Sequence, residues 1–146
     1  MSNTTDNLKD NLITHSELKH AKVSFVEGKP IAIVEATSSY IPIEEFKKTF
    51  ESIGKLVKEK HITKLIFDKR PLTVFHQPSM EWYFTEWKEE MYRHGLKTHR
   101  KILPDNKVFK QSVKIGREKI KENYPGLKFN EMDIQYKDNL QDAIDH

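Results

Sequence analysis

Apolar positions recur along the chain at two different spacings, and the alternation between these spacings predicts the fold. Five short runs have the β-branched or alternating composition of strands: 21–26, 31–36, 62–67, 96–103 and 127–136. Four segments repeat apolar residues at steps of three and four, as amphipathic helices do: 42–60, 78–95, 104–124 and 138–144. Strands that alternate with helices predict one α/β domain with a mixed, largely parallel sheet, in the order ββαβαβαβα.

The first 20 residues lack either spacing. They are polar, and the apolar side chains of Leu12, Ile13 and Leu18 are too sparse to define a face. We therefore predict a flexible polar tail over residues 1–20 and a single domain over residues 21–146. A chain of 146 residues is long enough for one domain with a substantial core.

The segment from residue 78 to 97 contains both tryptophans of the chain. Met80, Phe84, Trp87 and Met91 follow helical spacing and predict a buried seam along one side of a helix. Other large aromatic residues lie off this seam, so we expect the helix to be covered from two sides or to present a surface to a partner. We expect Ser79 to cap the start of this helix.

Two of the predicted elements have unusual patterns. The strand over residues 96–103 carries Thr, His, Arg and Lys, which leaves little apolar content for a central strand. In the run 127–136 the apolar positions change parity, which suggests a strand with a bulge near Asn130. A capping box beginning at Asp138 predicts the start of the final short helix.

Positive charge is concentrated in one part of the chain. Residues 93–121 contain ten Lys or Arg and two acidic residues, a local net charge of +8 against +3 for the whole chain. Five of the basic residues share one helical face as a basic stripe: Lys107, Lys110, Lys114, Arg117 and Lys121. A basic-surface protein that binds nucleic acid or an anionic membrane is therefore one alternative function. Because the stripe has no interleaved aromatic residues and no nucleic-acid motif, we favour a solvated face and disfavour nucleic acid.

The residues needed for catalysis are not arranged in any familiar motif. The chain has no cysteine, no glycine-rich phosphate loop and no nucleophile motif, and we interpret His76, His94 and His99 as surface histidines. We expect no cofactor, no metal and no enzymatic activity, so that a small hydrolase or transferase ranks last. No apolar run is long enough to cross a membrane, and the N-terminus does not resemble a secretion signal, so we expect a cytoplasmic protein.

Three stretches together resemble a known family: EWYFTEWKEEMYRHGLK, then KILPDNKVFKQS, and finally DNLQDAI. With the order of elements, they resemble the STAS-like, SpoIIAA-like family of small bacterial proteins over residues 21–144. The resemblance implies a sheet of four to five strands with helices mainly on one face, and regulation or binding in place of catalysis. The chain differs from related antagonist proteins at the loop where those proteins carry a phosphorylated Ser. Only Thr73 and Ser79 offer hydroxyl groups in this loop of the chain.

The loop over residues 68–77 follows the carboxyl end of a predicted strand, where open α/β sheets usually present ligand sites. We predict that this loop and the start of the aromatic helix form the working surface of a non-catalytic binding or regulatory module. We expect its partner to be a protein or a second copy of the chain, or else a small amphipathic or anionic ligand. Eight residues form the predicted surface: Lys69, Arg70, Thr73, Phe75, His76, Ser79, Trp82 and Tyr83.

Overall fold

A computed structural model describes residues 8–146 of the chain. Its centre is one mixed sheet of six strands, which lie side by side in chain order. The first three strands are antiparallel and the last four are parallel. The strands are β1 (Leu12–Glu17), β2 (Ala21–Val26), β3 (Ile31–Ala36), β4 (Lys64–Asp68), β5 (Thr98–Ile102) and β6 (Asp133–Tyr136). The predicted α/β class and the β2–β3 hairpin are confirmed.

The helices cover both faces of the sheet unequally. They are α1 (Ile43–Lys60), α2 (Gln77–Trp82), a π-helical turn (Tyr83–Trp87), α3 (Lys88–Arg93), α4 (Lys107–Asn123) and α5 (Leu140–Asp145). The larger core contains residues of α1, α4 and the segment from α2 to α3. Residues of α5 pack in a second core on the other face, against Ile33, Ile66 and Ile102. Successive parallel strands joined by right-handed crossovers put the intervening helices on one side.

The N-terminal region contains a strand that the sequence pattern does not reveal. Residues 12–17 pair with β2, so the prediction of a tail through residue 20 is wrong for this stretch. The pairing register shifts between Thr14 and Ser16, and such an irregularity breaks the alternation that marks a strand. An edge strand obtains its stability from backbone hydrogen bonds to one neighbour and needs few apolar residues. Residues 1–7 of the predicted tail lie outside the described part of the chain.

Two boundaries near the C-terminus also differ from the predictions. The run 127–136 is not one bulged strand, because a 3₁₀ turn (Lys128–Glu131) precedes β6. The turn buries Phe129 against Phe84, with ring centroids 5.1 Å apart, and this contact explains the change of parity. The cap of α5 is Asn139, whose side chain accepts the backbone N–H of Asp142 at 2.8 Å, and not Asp138.

The π-helical turn changes which side chains of the aromatic segment face the sheet. The backbone N–H of Lys88 bonds to the carbonyl of Tyr83, five residues earlier. On an α-helix a separation of five residues leaves two side chains about 140° apart, whereas a wider turn brings them closer to one face. Tyr83 and Lys88 are therefore both buried beside the predicted seam.

The helix cap provides a test of the C-terminal boundary. We expect Asn139→Ala to lower the free energy of unfolding by about 1 kcal/mol, because it removes the side-chain acceptor for a helix N–H group. Asp138→Ala is the matched control and should change it by less than about 0.5 kcal/mol. Urea unfolding of both variants measures the difference, and a larger loss for Asp138→Ala would contradict the assignment.

Candidate functional site

A cleft opens beside the loop that follows β4, on the side of the sheet covered by α1, α2 and α4. Its enclosed volume is about 50 Å³, which is room for a few water molecules or one end of a ligand. The lining is largely apolar and aromatic, with Lys69, His76 and Ser79 as its main polar groups, and within residues 8–146 no acidic side chain belongs to it. The other lining residues are Tyr40, Ile41, Phe46, Phe67, Leu72, Val74, Phe75, Met80, Tyr83 and Phe109.

The structure brings together five of the eight residues that the sequence suggests for the working surface. These five line the cleft: Lys69, Phe75, His76, Ser79 and Tyr83. Phe75 meets Phe109 of α4 edge to face, with ring centroids 6.1 Å apart, so α4 closes one wall. The loop that follows the carboxyl end of the parallel strand β4 thus forms part of the cleft.

The other three residues point elsewhere because each has a local partner. The guanidinium of Arg70 forms a fork with the Asp68 carboxylate, with contacts of 2.9 and 2.7 Å. The hydroxyl and the backbone N–H of Thr73 both donate to the carbonyl of Ser39, at 3.4 and 2.9 Å. Trp82 packs edge to face with Phe46, at 6.1 Å between ring centroids, and lies outside the lining of the cleft.

The start of α2 is capped by a histidine. The backbone N–H of Ser79 donates to Nδ1 of His76 at 3.3 Å, and the Ser79 hydroxyl lies 2.8 Å from the same nitrogen. The expectation that Ser79 is the cap is therefore wrong, since Ser79 is the third helical residue and its N–H is the capped group. The cap fixes the orientation of the His76 ring at the edge of the cleft.

Lys69 is a buried cation without a carboxylate beside it. Its side chain is only 7% exposed, and its Nζ lies 4.9 Å from the centroid of the Phe67 ring. Within residues 8–146 no acidic group forms a salt bridge with it. Burial, together with the positive charge of Arg117, lowers the pKa of the Lys69 ammonium to about 8.

Two further lysines and a histidine lie buried behind Tyr83. Lys88, His99 and Lys101 are at most 1% exposed, and in each a side-chain nitrogen has no hydrogen-bond partner in the described chain. Nζ of Lys88 lies 3.5 Å from the centroid of the Phe84 ring, and Nζ of Lys101 lies 4.5 Å from it. Burial first, and then the neighbouring positive charges, lowers the pKa of all three groups well below the ordinary value.

Tyr83 separates the cleft from these buried amines. Its ring lines the cleft, while Nζ of Lys88 lies 4.6 Å and Nζ of Lys101 5.3 Å from the ring centroid. Its hydroxyl lies 3.2 Å from Nδ1 of His99. Burial raises the pKa of the Tyr83 phenol well above its ordinary value, so this group stays neutral. We call Lys69, Lys88 and Lys101 the buried lysines.

Sequence reasoning missed the inner part of this arrangement. The interpretation of His99 as a surface histidine is wrong, because β5 lies between β4 and β6 and His99 faces the helices. The one available signal was the scarcity of apolar residues in a strand predicted to be central. Lys88 gives no such signal, because only the π-helical turn brings it to the same face as Tyr83.

The basic stripe lies on the exposed side of α4. Lys107, Lys110, Lys114 and Lys121 are exposed, whereas Arg117 is half-buried and its guanidinium lies 3.2 Å from the Tyr136 hydroxyl. A shallow groove between α4 and β6 is lined by four of the five residues. Arg117 is thus the member of the stripe whose charge also reaches the buried lysines.

Comparisons with known proteins add no relative: no protein-family model, curated protein or solved structure matches the chain. Among the described residues, no group of three His, Asp or Glu side chains could hold a metal ion. The helices in that same part of the chain include none that is both long and apolar enough to cross a membrane.

The lowered pKa values predict an unusual dependence of stability on pH. The buried lysines bind fewer protons in the folded protein than in the unfolded one, so the free energy of unfolding should rise with pH. For Lys69 this increase in the free energy of unfolding should occur between pH 8 and the ordinary lysine pKa of about 10.4. Urea unfolding between pH 7 and 9.5 measures it, below the range in which Tyr83 would oppose it.

Variants of the inner lysines provide a second readout. We expect Lys88→Met and Lys101→Met each to stabilise the protein at pH 7, by about 1–4 kcal/mol, and to weaken its pH dependence. Lys119→Met, at an exposed position of α4, is the control and should change stability by less than about 0.5 kcal/mol. Destabilisation by both inner substitutions, with the pH dependence unchanged, would contradict this interpretation.

Proposed function

We propose that the chain is a non-catalytic binding module of STAS-like type whose cleft takes the acidic head group of a small amphipathic molecule. The observation that carries this proposal is Lys69, a buried cation on an apolar cleft with no carboxylate of residues 8–146 beside it. A carboxylate from a ligand would supply the opposite charge that the protein does not provide.

Electrostatics around Lys69 favours an anion over a cation or a neutral molecule. In the described part of the chain, no acidic side chain lines the cleft. The positive charge of Arg117 disfavours the protonated form of Lys69 in the free protein, and a bound anion would reverse that penalty. A ligand pocket of this kind combines an apolar wall with a few polar groups that fix orientation.

The rim of the cleft supports an apolar body behind the head group. Tyr40 and Val74 are large apolar side chains of the lining that remain 36% and 49% exposed. Because the enclosed volume is only about 50 Å³, one end of a ligand fits inside and the rest would lie across these two residues. A medium-chain fatty acid has the required combination of charge and apolar length.

The arrangement of elements supports the STAS-like assignment within this proposal. Three helical segments lie on one face of a mixed sheet, and the loop after β4 borders the cleft. A regulatory role, through a protein partner or a second copy of the chain, remains a prediction on the same surface. Sedimentation of the chain with and without ligand would test whether a second copy binds there.

Octanoate is a suitable probe of the head group. We expect the wild-type chain to bind octanoate more tightly than octanol, because only the acid can pair with Lys69. Lys69→Met should weaken octanoate binding by about 10- to 100-fold and leave octanol binding unchanged within about twofold. Titration calorimetry at pH 7 measures all four affinities.

Lys47→Met is the matched control, because Lys47 lies over the Trp82 ring at 5.6 Å, outside the cleft lining. It should bind octanoate as the wild type does. Equal binding of octanoate by the wild type and Lys69→Met, or no octanoate binding by the wild type, would refute the proposal.

A glycine behind the cleft wall gives an independent test. A Cβ atom added at Gly116 of α4 would lie 3.0 Å from Cζ of Phe75 and would also meet the Gln77 side chain. Gly116→Ala should therefore displace the Phe75 ring and weaken octanoate binding by about tenfold, although Ala favours helices. Gly126→Ala is the control, since a Cβ there has no described atom within 4 Å. Equal binding by both variants would contradict the prediction that octanoate binding depends on the position of the Phe75 ring.

A further inference from the structure

Lys69 is both buried and accessible from the cleft, whereas each of the other lysines of residues 8–146 is either buried or accessible to solvent. Lys88 and Lys101 are buried but do not line the cleft. The remaining lysines are half-buried or exposed to solvent. Lys69 is buried, lacks a carboxylate partner and still borders an open cleft that a small molecule can enter. An amine in this position is both desolvated and reachable, which is the situation of a nucleophilic lysine.

We propose that Lys69 captures the aldehyde end of small amphipathic molecules as a reversible imine inside this cleft. The inference deepens the proposed function and rests on it, because the same apolar rim would select the molecule. The carbonyl carbon of the aldehyde lies at Nζ of Lys69, in the position that the acidic head group occupies in the proposed function.

The reaction needs only the amine and the aldehyde. The lone pair of Nζ attacks the carbonyl carbon, a C–N bond forms, and a proton moves from nitrogen to the former carbonyl oxygen. The resulting carbinolamine loses its hydroxyl group and the remaining N–H proton as one molecule of water, which leaves a C=N bond. Addition of water reverses each step, and no oxidant or reductant takes part.

The surroundings of Lys69 favour the neutral amine that this attack requires. With a pKa of about 8, roughly a tenth of the Lys69 side chains are neutral at pH 7, against roughly 0.04% for an ordinary lysine. Nucleophilicity falls with basicity, which offsets about tenfold of the roughly 200-fold ratio, so we expect a net advantage of about 20-fold. A neutral imine also removes the cost of burying an ammonium ion.

The charged and titratable groups near the amine come from several elements. Arg117 of α4 is the positive charge that acts on it, and Tyr83 of the π-helical turn and His76 at the start of α2 line the same cleft. None is an acid that would hold Lys69 protonated. The next residues along the chain, Asp68 and Arg70, are paired with each other.

Reductive trapping tests the inference directly. The full chain is incubated at pH 7 with octanal, at a concentration below that of the protein, and with cyanoborohydride, and the alkylated lysine is mapped by peptide mass spectrometry. We expect alkylation at Lys69 about 20-fold faster than at an exposed lysine such as Lys119. Octanoate should slow trapping at Lys69 and leave Lys119 unaffected.

Lys69→Arg is the matched variant, because it keeps a positive charge in the cleft but offers no amine for an imine. It should lose the selective adduct and should retain octanoate binding at least in part. If Lys69→Arg does not fold, competition by octanoate on the wild type decides the question. Alkylation spread evenly over exposed lysines, or trapping at Lys69 that bound octanoate does not slow, would overturn the inference. Octanoate binding without a Lys69 adduct would refute the imine alone, whereas an adduct without octanoate binding would refute the anion site alone.

Discussion

The structure depends on one constraint: three lysine amines are buried on the helical face of the sheet with no acidic group against them in the described chain. A buried ammonium ion without a partner costs several kcal/mol, so the protein has to keep these groups neutral or meet their charge with a ligand. The pKa values of Lys88 and Lys101, well below the ordinary value, correspond to the first response, whereas Lys69, with a pKa of about 8, stays mostly charged at pH 7. For Lys69 we propose the second, through a ligand in the open cleft beside it.

Several elements contribute to this arrangement. The central strand β5 carries His99 and Lys101 on its helical face, and the π-helical turn brings Lys88 over them with the Phe84 ring as a shared contact. Tyr83 stays neutral because of its burial and divides the two inner lysines from the cleft. The amines therefore extend from the edge of the cleft, at Lys69, into the interior. Aromatic rings lie beside all three amines.

Local patterns predicted much of the fold and the outer part of the site. The β2–β3 hairpin and α1 have complete apolar patterns and turn residues, so tertiary contacts did not override them. The strand β1 was not predicted, because backbone pairing with β2 stabilises it without an apolar face. Lys69, Phe75 and His76 could be found because a loop after a parallel strand borders the ligand edge of a sheet. Arg70 could not be excluded, because its pairing with Asp68 depends on side-chain geometry. The burial of Lys88 could not be predicted, because the π-helical turn places it beside Tyr83 and ordinary helical spacing does not.

The most direct test of the central claim is an NMR titration of the Lys69 side chain, followed at its Cε and Nζ nuclei, without and with octanoate. The resonances can be assigned from their loss in Lys69→Arg. Our account predicts a midpoint near pH 8 in the free protein and a higher midpoint when octanoate is bound, because the carboxylate stabilises the ammonium form. A midpoint at the ordinary lysine value of about 10.4 that octanoate does not move would contradict the account.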